Sequence, residues 1–294
     1  MKILFILILL LPVLAHSFEF IRSATFSLDT ISSDSDLRTS AEEILLVFKP
    51  NVSTGFGFAV ETEYVSLGYV FSGADPQNKN LQESRFRDIK LDFSIHDFDI
   101  RLNYQSYKGA AVENAGVNNF YQDYRVEAYN FRAHYYFNES ILGFVRDGKI
   151  LTNSAATNKG YTSFSSWFAG LNLDQRAIAL PSSLIAAHQS RLDDKGVIYK
   201  NGFDVFSYGP LVGYDYFMFY NQFFLRGKFA AGKSFQGSGK SANQYEVALS
   251  IGLGIKEDHA FSINLDAYIM SFKEGNQLIQ NQNNQATLEY NIAF

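Results

Sequence analysis

The chain has 294 residues, no cysteine and a formal net charge of −5. Disulfides, thiolate metal sites and cysteine nucleophiles are thereby excluded, and a mild acidity with no basic block gives nucleic acid no surface to bind. It carries 28 Phe and 18 Tyr, yet its mean hydropathy is −0.10, which suits strands that are apolar on one side only rather than a soluble enzyme with long buried runs.

In chain order, Met1 and Lys2 precede an apolar run from Ile3 to Leu14, broken at Pro12, and Ala15-His16-Ser17 offers small residues for cleavage. Residues 1–17 read as a secretory signal peptide, because a spanning helix needs about 20 apolar residues. An exported chain with no helical anchor can satisfy its backbone amides in lipid only as a closed barrel. Residues 18–294 are accordingly expected to form a single outer-membrane β-barrel domain.

A first strand is predicted near 19–29 and a second near 43–60, kinked at Pro50. Asp88, Lys90, Asp92 and Ser94 then alternate with Ile89, Leu91, Phe93 and Ile95. After a tight turn at His96-Asp97, Asp99, Arg101, Asn103 and Gln105 oppose Phe98, Ile100, Leu102 and Tyr104. Period-two alternation of this kind gives a strand one wet and one greasy face. The next clear hairpin pairs 205–217 with 221–233, where Phe223, Leu225 and Phe229 oppose Arg226 and Lys228. A third alternates from Gln244 to Ile255, with Glu246 on its polar side, and returns with Asn264 and Asp266 on the wet side. The chain ends on Ala286, Leu288, Tyr290, Ile292 and Phe294 against Thr287, Glu289, Asn291 and Ala293. A terminal strand closing on an aromatic suits recognition by the barrel-assembly machinery, with Tyr290, Ile292 and Phe294 as the assembly signal.

Turns near 61–63, 96–97, 138–139, 172–174, 219–221 and 256–259 are short. Segments near 73–85, 108–123, 148–159, 182–203, 234–242 and 273–283 are longer and rich in Gly, Asn, Gln and Ser. Short turns on the periplasmic side and long loops outside are the habit of outer-membrane barrels. The count predicts an all-β, antiparallel transmembrane barrel of about 14 strands. Twelve is the alternative, because 140–147 and 174–181 are short and weakly patterned.

The run Lys49-Pro50-Asn51 with Gly55-Phe56-Gly57-Phe58, the segment Leu180-Pro181-Ser182-Ser183, and Phe206-Ser207-Tyr208-Gly209-Pro210-Leu211-Val212-Gly213-Tyr214 resemble the bacterial family catalogued as domain of unknown function 4421. The resemblance covers most of the mature chain, implies a barrel, and transfers no reaction, ligand or catalytic residue.

The lumen-lining candidates are Asp88, Lys90, Asp92, Asp99, Arg101, Arg132, His134, Arg226, Lys228, Glu246, Asp266 and Glu289. Their mixed signs could either cross-link a narrow lumen or line a channel that orients polar solutes. Fourteen strands enclose more space than side chains fill, so the expectation is a pore or binding barrel for small polar or amphipathic solutes. The alternatives are a Ser/His lipid-modifying enzyme of the outer membrane and a sealed barrel that displays its loops for adhesion or structure. His134 and His188, the latter near Ser182, Ser183 and Asp193, are the residues an enzyme would use, but neither lies in a catalytic motif. Asp193-Asp194 has no regular acidic spacing for calcium, and Gly232 to Gly239 is a loop rather than a phosphate cradle. The reading is therefore a non-enzymatic barrel with no catalytic residue, cofactor or metal, whose partners are outer-membrane lipid, the assembly machinery and small solutes. Tyr135, Tyr136, Phe137, Tyr214, Tyr216, Phe217, Phe219 and Tyr220 cluster beside the periplasmic turns and read as an interfacial aromatic girdle.

Overall fold

A computed structural model describes residues 21, 23–39, 44–49, 55–62, 64–72, 85–114, 117–138, 160–186, 202–236, 241–256, 259–274 and 277–293. The signal peptide, the 140–147 segment, His188, the Asp193-Asp194 pair and Phe294 lie outside them. The strands are β1 Ser23–Thr39, β2 Ile44–Lys49, β3 Gly55–Glu61, β4 Val65–Ser72, β5 Arg85–Ile95, β6 Phe98–Asn114, β7 Val117–Tyr136, β8 Tyr161–Ala179, β9 Gly202–Tyr220, β10 Phe223–Gln236, β11 Ser241–Lys256, β12 His259–Glu274 and β13 Gln277–Ala293. All pair antiparallel. β13 returns to β1 from Ser23↔Ala293 to Thr39↔Gln277, which closes the sheet.

The ring has twelve positions for thirteen strands, because β2 and β3 share one. β3 pairs with β1 over Ser23–Asp29, while β2 pairs with it over Ser35–Arg38. Pro50 falls between the two strands, where a residue without an amide proton cannot continue a ladder. β4 is only 8 residues long. Above its end β2 reaches β6 directly, through Val47↔Glu113 and Lys49↔Ala111.

Twelve positions match the alternative count of twelve rather than the fourteen first expected. The predicted turn at 172–174 does not exist: Asn172 and Asp174 are mid-strand, facing inward from β8. Their polarity was read as turn chemistry, although a lumen-facing position asks for the same residues. β7 ends and β8 begins at the rim that also carries the chain ends, so 148–159 does not connect strands at the opposite rim, where it was expected as an outer loop. We call the rim holding Ser23 and Ala293 the near rim and the opposite one the far rim.

At the far rim several expected loops are strand. β6 and β7 run 17 and 20 residues, and β12 and β13 run 16 and 17, whereas about 9–11 residues cross a bilayer. The Asn- and Gln-rich stretch 277–285 belongs to β13. Its run of Asn and Gln has no apolar–polar alternation to mark it as strand. At the near rim His96 and Asn221 take positive φ, 50° and 53°, and begin two-residue turns whose twist matches that of the strands.

Outward side chains are apolar: Ile251, Leu253, Phe261, Ile263, Leu265 and Leu288 are 40–54% exposed. The girdle is only partly as expected. Tyr135, Phe137, Tyr214 and Tyr220 do face outward, joined by Tyr161 and Trp167, but Tyr136, Phe217 and Phe219 point into the lumen and are buried.

Candidate functional site

The lumen is filled unevenly from rim to rim. In the far half, Phe48, Phe86, Tyr107, Val112, Tyr124 and Val126 form one apolar cluster. Phe48 stacks on Tyr124 at 5.1 Å between ring centres, and Phe86 on Tyr107 at 4.8 Å. The chain itself adds to this cluster. After β8, Leu180 turns inward and a short helix, α1 (182–186), begins behind Pro181, whose carbonyl accepts from the amides of Leu184 and Ile185 at 3.0 and 3.1 Å. Proline suits that first position because it lacks the amide proton a helix start leaves unpaired. Leu180 and Leu184, four apart, are both buried in the cluster.

In the near half the β7–β10 wall is filled with rings. Phe168 lies over Gly213, and Phe224 over Gly252, each directly across its strand pair. A Cβ on Gly213 would stand 2.3 Å from the Phe168 ring, and one on Gly252 1.9 Å from that of Phe224. Only glycine leaves room for this approach.

Between these layers lies the charged band. β10 places Arg226 and Lys228 two residues apart on its inward face. Arg226 donates to both oxygens of Asp215 on β9, at 3.1 and 2.7 Å, and stacks 4.7 Å above Phe217. Tyr136 donates to the same carboxylate at 3.2 Å. Lys228 reaches Glu246 on β11 at 3.0 Å and Nδ1 of His134 on β7 at 3.3 Å. Arg132 meets the second Glu246 oxygen at 3.3 Å and covers the Tyr268 ring at 4.3 Å. Arg101 donates to Asp92, its direct cross-strand partner, at 2.8 Å. Lys90 lies 3.6 Å from Asp88 and donates to Gln285 at 3.1 Å. Asp99 stands 4.0 Å from His134. Buried charges persist only when paired in this way.

Beside this band, against β1, β3, β4 and β11–β13, is a cavity of about 340 Å³. It reaches Ser23 and the Thr62–Val65 turn at the near rim. Nine of the twelve predicted lumen residues line it: Lys90, Asp92, Asp99, Arg101, Arg226, Lys228, Glu246, Asp266 and Glu289. Arg132 lines a second cavity of about 80 Å³ toward the far half. Lys90, Arg101, Glu246 and Asp266 border both cavities and stand at the neck between them. Asp88 and His134 are buried in the wall. Tyr290 and Ile292, predicted as part of an assembly signal, sit on β13 at the near rim, where Tyr290 meets Nδ1 of His259 at 2.7 Å.

Sequence reading missed Asp29, Glu61, Asp174, Arg176 and Asp215, all of which occupy the inward face. Asp174 and Arg176, paired at 2.8 Å, were hidden by the supposed turn. Asp215 was hidden among aromatics, although its parity with Gly213 and Phe217 gave its side. Asp29 accepts from Thr287 and Gln285, each at 2.7 Å, and Glu61 from Ser23 at 2.6 Å. Among the described residues no group of three or more His, Asp or Glu could hold a metal ion, and no helix is long and apolar enough to cross a membrane.

Neither a family model nor a curated protein matches the chain. Solved structures do. The translocator domain of the autotransporter NalP from Neisseria meningitidis superposes with a TM-score of 0.50 at 9% identity, over 92% of this chain and 88% of that one. The outer membrane protease OmpT from Escherichia coli gives 0.40 at 11% identity, over 94% and 99%. An outer membrane channel from Pseudomonas putida F1 gives 0.38 at 10% identity, over 94% and 96%. The fold is that of outer-membrane β-barrels.

Proposed function

We propose that the chain is an outer-membrane barrel that holds a small polar or amphipathic solute in its lumen, on the periplasmic side of a seal. In this reading residues 1–17 direct export, the outward aromatics and aliphatics meet lipid, and the C-terminal strand engages the assembly machinery. The near rim then faces the periplasm, because short turns and chain ends lie there in such barrels. Membership of the family called domain of unknown function 4421 is part of the same proposal, carried by residues 49–58, 180–183 and 206–214.

The observation that carries the reading is the division of the lumen. An apolar cluster that includes Leu184 packs in the far half beside a cavity of only about 80 Å³, while the near half keeps an open polar cavity of about 340 Å³. Small-molecule sites begin at about 300 Å³. A resident solute fits this division better than a permanently open pore does. His134 places its Nδ1 against Lys228 rather than against a serine hydroxyl, which disfavours His134 as the base of a Ser/His pair.

The test is twofold. In planar bilayers the folded protein is expected to show no steady open conductance, and Leu184→Ala combined with Tyr124→Ala is expected to raise it. In equilibrium dialysis against small neutral, anionic and cationic solutes, at least one class is expected to bind saturably. A large resting conductance, or no binding by any class, overturns the reading.

A further inference from the structure

Resting on that reading, we infer that the near cavity selects a small organic cation that also carries a hydrogen-bond acceptor, such as an ammonium with a hydroxyl or carbonyl oxygen. The lining bears seven carboxylates against four cationic side chains, and the imbalance lies on one wall. Each cation is already engaged. Arg226 is held by Asp215, Lys228 by Glu246 and Arg101 by Asp92, while Lys90 lies beside Asp88. The carboxylates across the cavity have neutral partners instead. Glu289 accepts from Ser262 at 3.2 Å, Glu61 from Ser23, and Asp29 from Thr287 and Gln285. Asp266 is exposed to the cavity and, among the described residues, makes no ion pair or hydrogen bond. A cation entering this space would find carboxylates whose hydrogen-bond partners are neutral, in a setting less screened than bulk water.

Asn291 is an independent pointer to a ligand. It is 7% exposed and lines the cavity. Thr25 donates to its Oδ1 at 2.5 Å, but its Nδ2 has no partner. A buried amide donor left idle is costly, and an oxygen on the bound solute would satisfy it. Phe217 and Phe224 also line the cavity and give the alkyl part of an ammonium compound apolar surface to meet.

The experiment uses the full folded barrel in detergent, titrated calorimetrically with choline, ethanolamine, glycerol and glycolate. Choline or ethanolamine is expected to bind at least tenfold more tightly than glycerol or glycolate, and to weaken as salt rises. Asp266→Asn and Glu289→Gln are each expected to weaken the cation about tenfold, with folding checked by heat-modifiable migration. Asn291→Leu is expected to weaken ethanolamine more than it weakens ethylammonium, which lacks the oxygen. Equal or tighter binding of glycerol or glycolate to the unaltered protein overturns the inference while leaving a solute-binding barrel standing. Silence from all four probes and from the wider solute panel overturns both.

Discussion

Two walls of the near half-lumen face each other at the same depth and have opposite characters. The β7–β10 wall carries Tyr136, Phe168, Phe217 and Phe224, packed together as a buried cluster. The opposing wall, from β11–β13 through β1 to β3 and β4, presents Ser250, Asn264, Thr287, Thr25, Ala59 and Gly68 to the cavity. Strand number sets the diameter of a barrel and is common to both walls. What decides whether the lumen is filled or hollow is the size of the inward residue at alternate positions. Two of these rings lie over glycines, Phe168 over Gly213 and Phe224 over Gly252 across the seam on β11. On the hollow wall the space beside Gly68 holds no ring: a Cβ there would meet only Ala59 and Lys90, at 3.6 and 3.7 Å.

This contrast can be broken most severely at the glycines. Gly213→Leu would place its Cβ 2.4 Å from the backbone oxygen of Phe229 as well as against Phe168. Overpacking ordinarily costs about 1–3 kcal/mol, and a collision with backbone exceeds that. The expected outcome is loss of the heat-modifiable band on unboiled gels. Next comes the ion pair at the edge of the full wall. Arg226→Met leaves the buried Asp215 with Tyr136 as its remaining side-chain partner, and breaking a buried pair costs about 3–5 kcal/mol. The urea midpoint should fall accordingly, and Arg226→Met with Asp215→Leu should recover more than half of the loss.

On the hollow wall the same kind of change should be mild. Ser250→Leu adds bulk toward open space, so its cost is expected below about 1.5 kcal/mol, while solute binding in dialysis drops at least tenfold. A loss of stability as large as that of Gly213→Leu would show that the cavity is not hollow. The smallest effect is expected away from both walls. Arg125 pairs with Glu127 in the open, 59% and 27% exposed, and Arg125→Ala should shift the urea midpoint by about 0–1 kcal/mol in stability.

Much of this architecture was legible because alternation is a local property. Asp88 to Gln105 gave a hairpin with the right turn and the right faces, and Lys90, Arg101, Lys228 and Glu246 all stand inside the lumen as their parity required. Strand number was not legible at Asn172 and Asp174, because a polar residue turned toward a lumen is indistinguishable in sequence from one in a turn. Nor was it legible at 277–285, where a run of Asn and Gln carries no alternation to mark a strand. The inward aromatics Tyr136, Phe217 and Phe219 misled in the opposite direction, since a ring near a strand end suits a girdle and a lumen plug equally.

By itself, then, the sequence determined which side of each strand is greasy, where the His96 and Asn221 turns fall, and that the ends of the chain meet at one rim. Period-two patterning carries that information within a few residues. Only the tertiary structure decided that an apolar cluster including Leu184 packs in the far half of the lumen while a cavity lies in the near half, that Lys228 joins His134 to Glu246, and that Asp266, among the described residues, makes no ion pair or hydrogen bond. Those relations connect residues on different strands through the interior, and their distances are fixed by register and closure, which no single strand encodes.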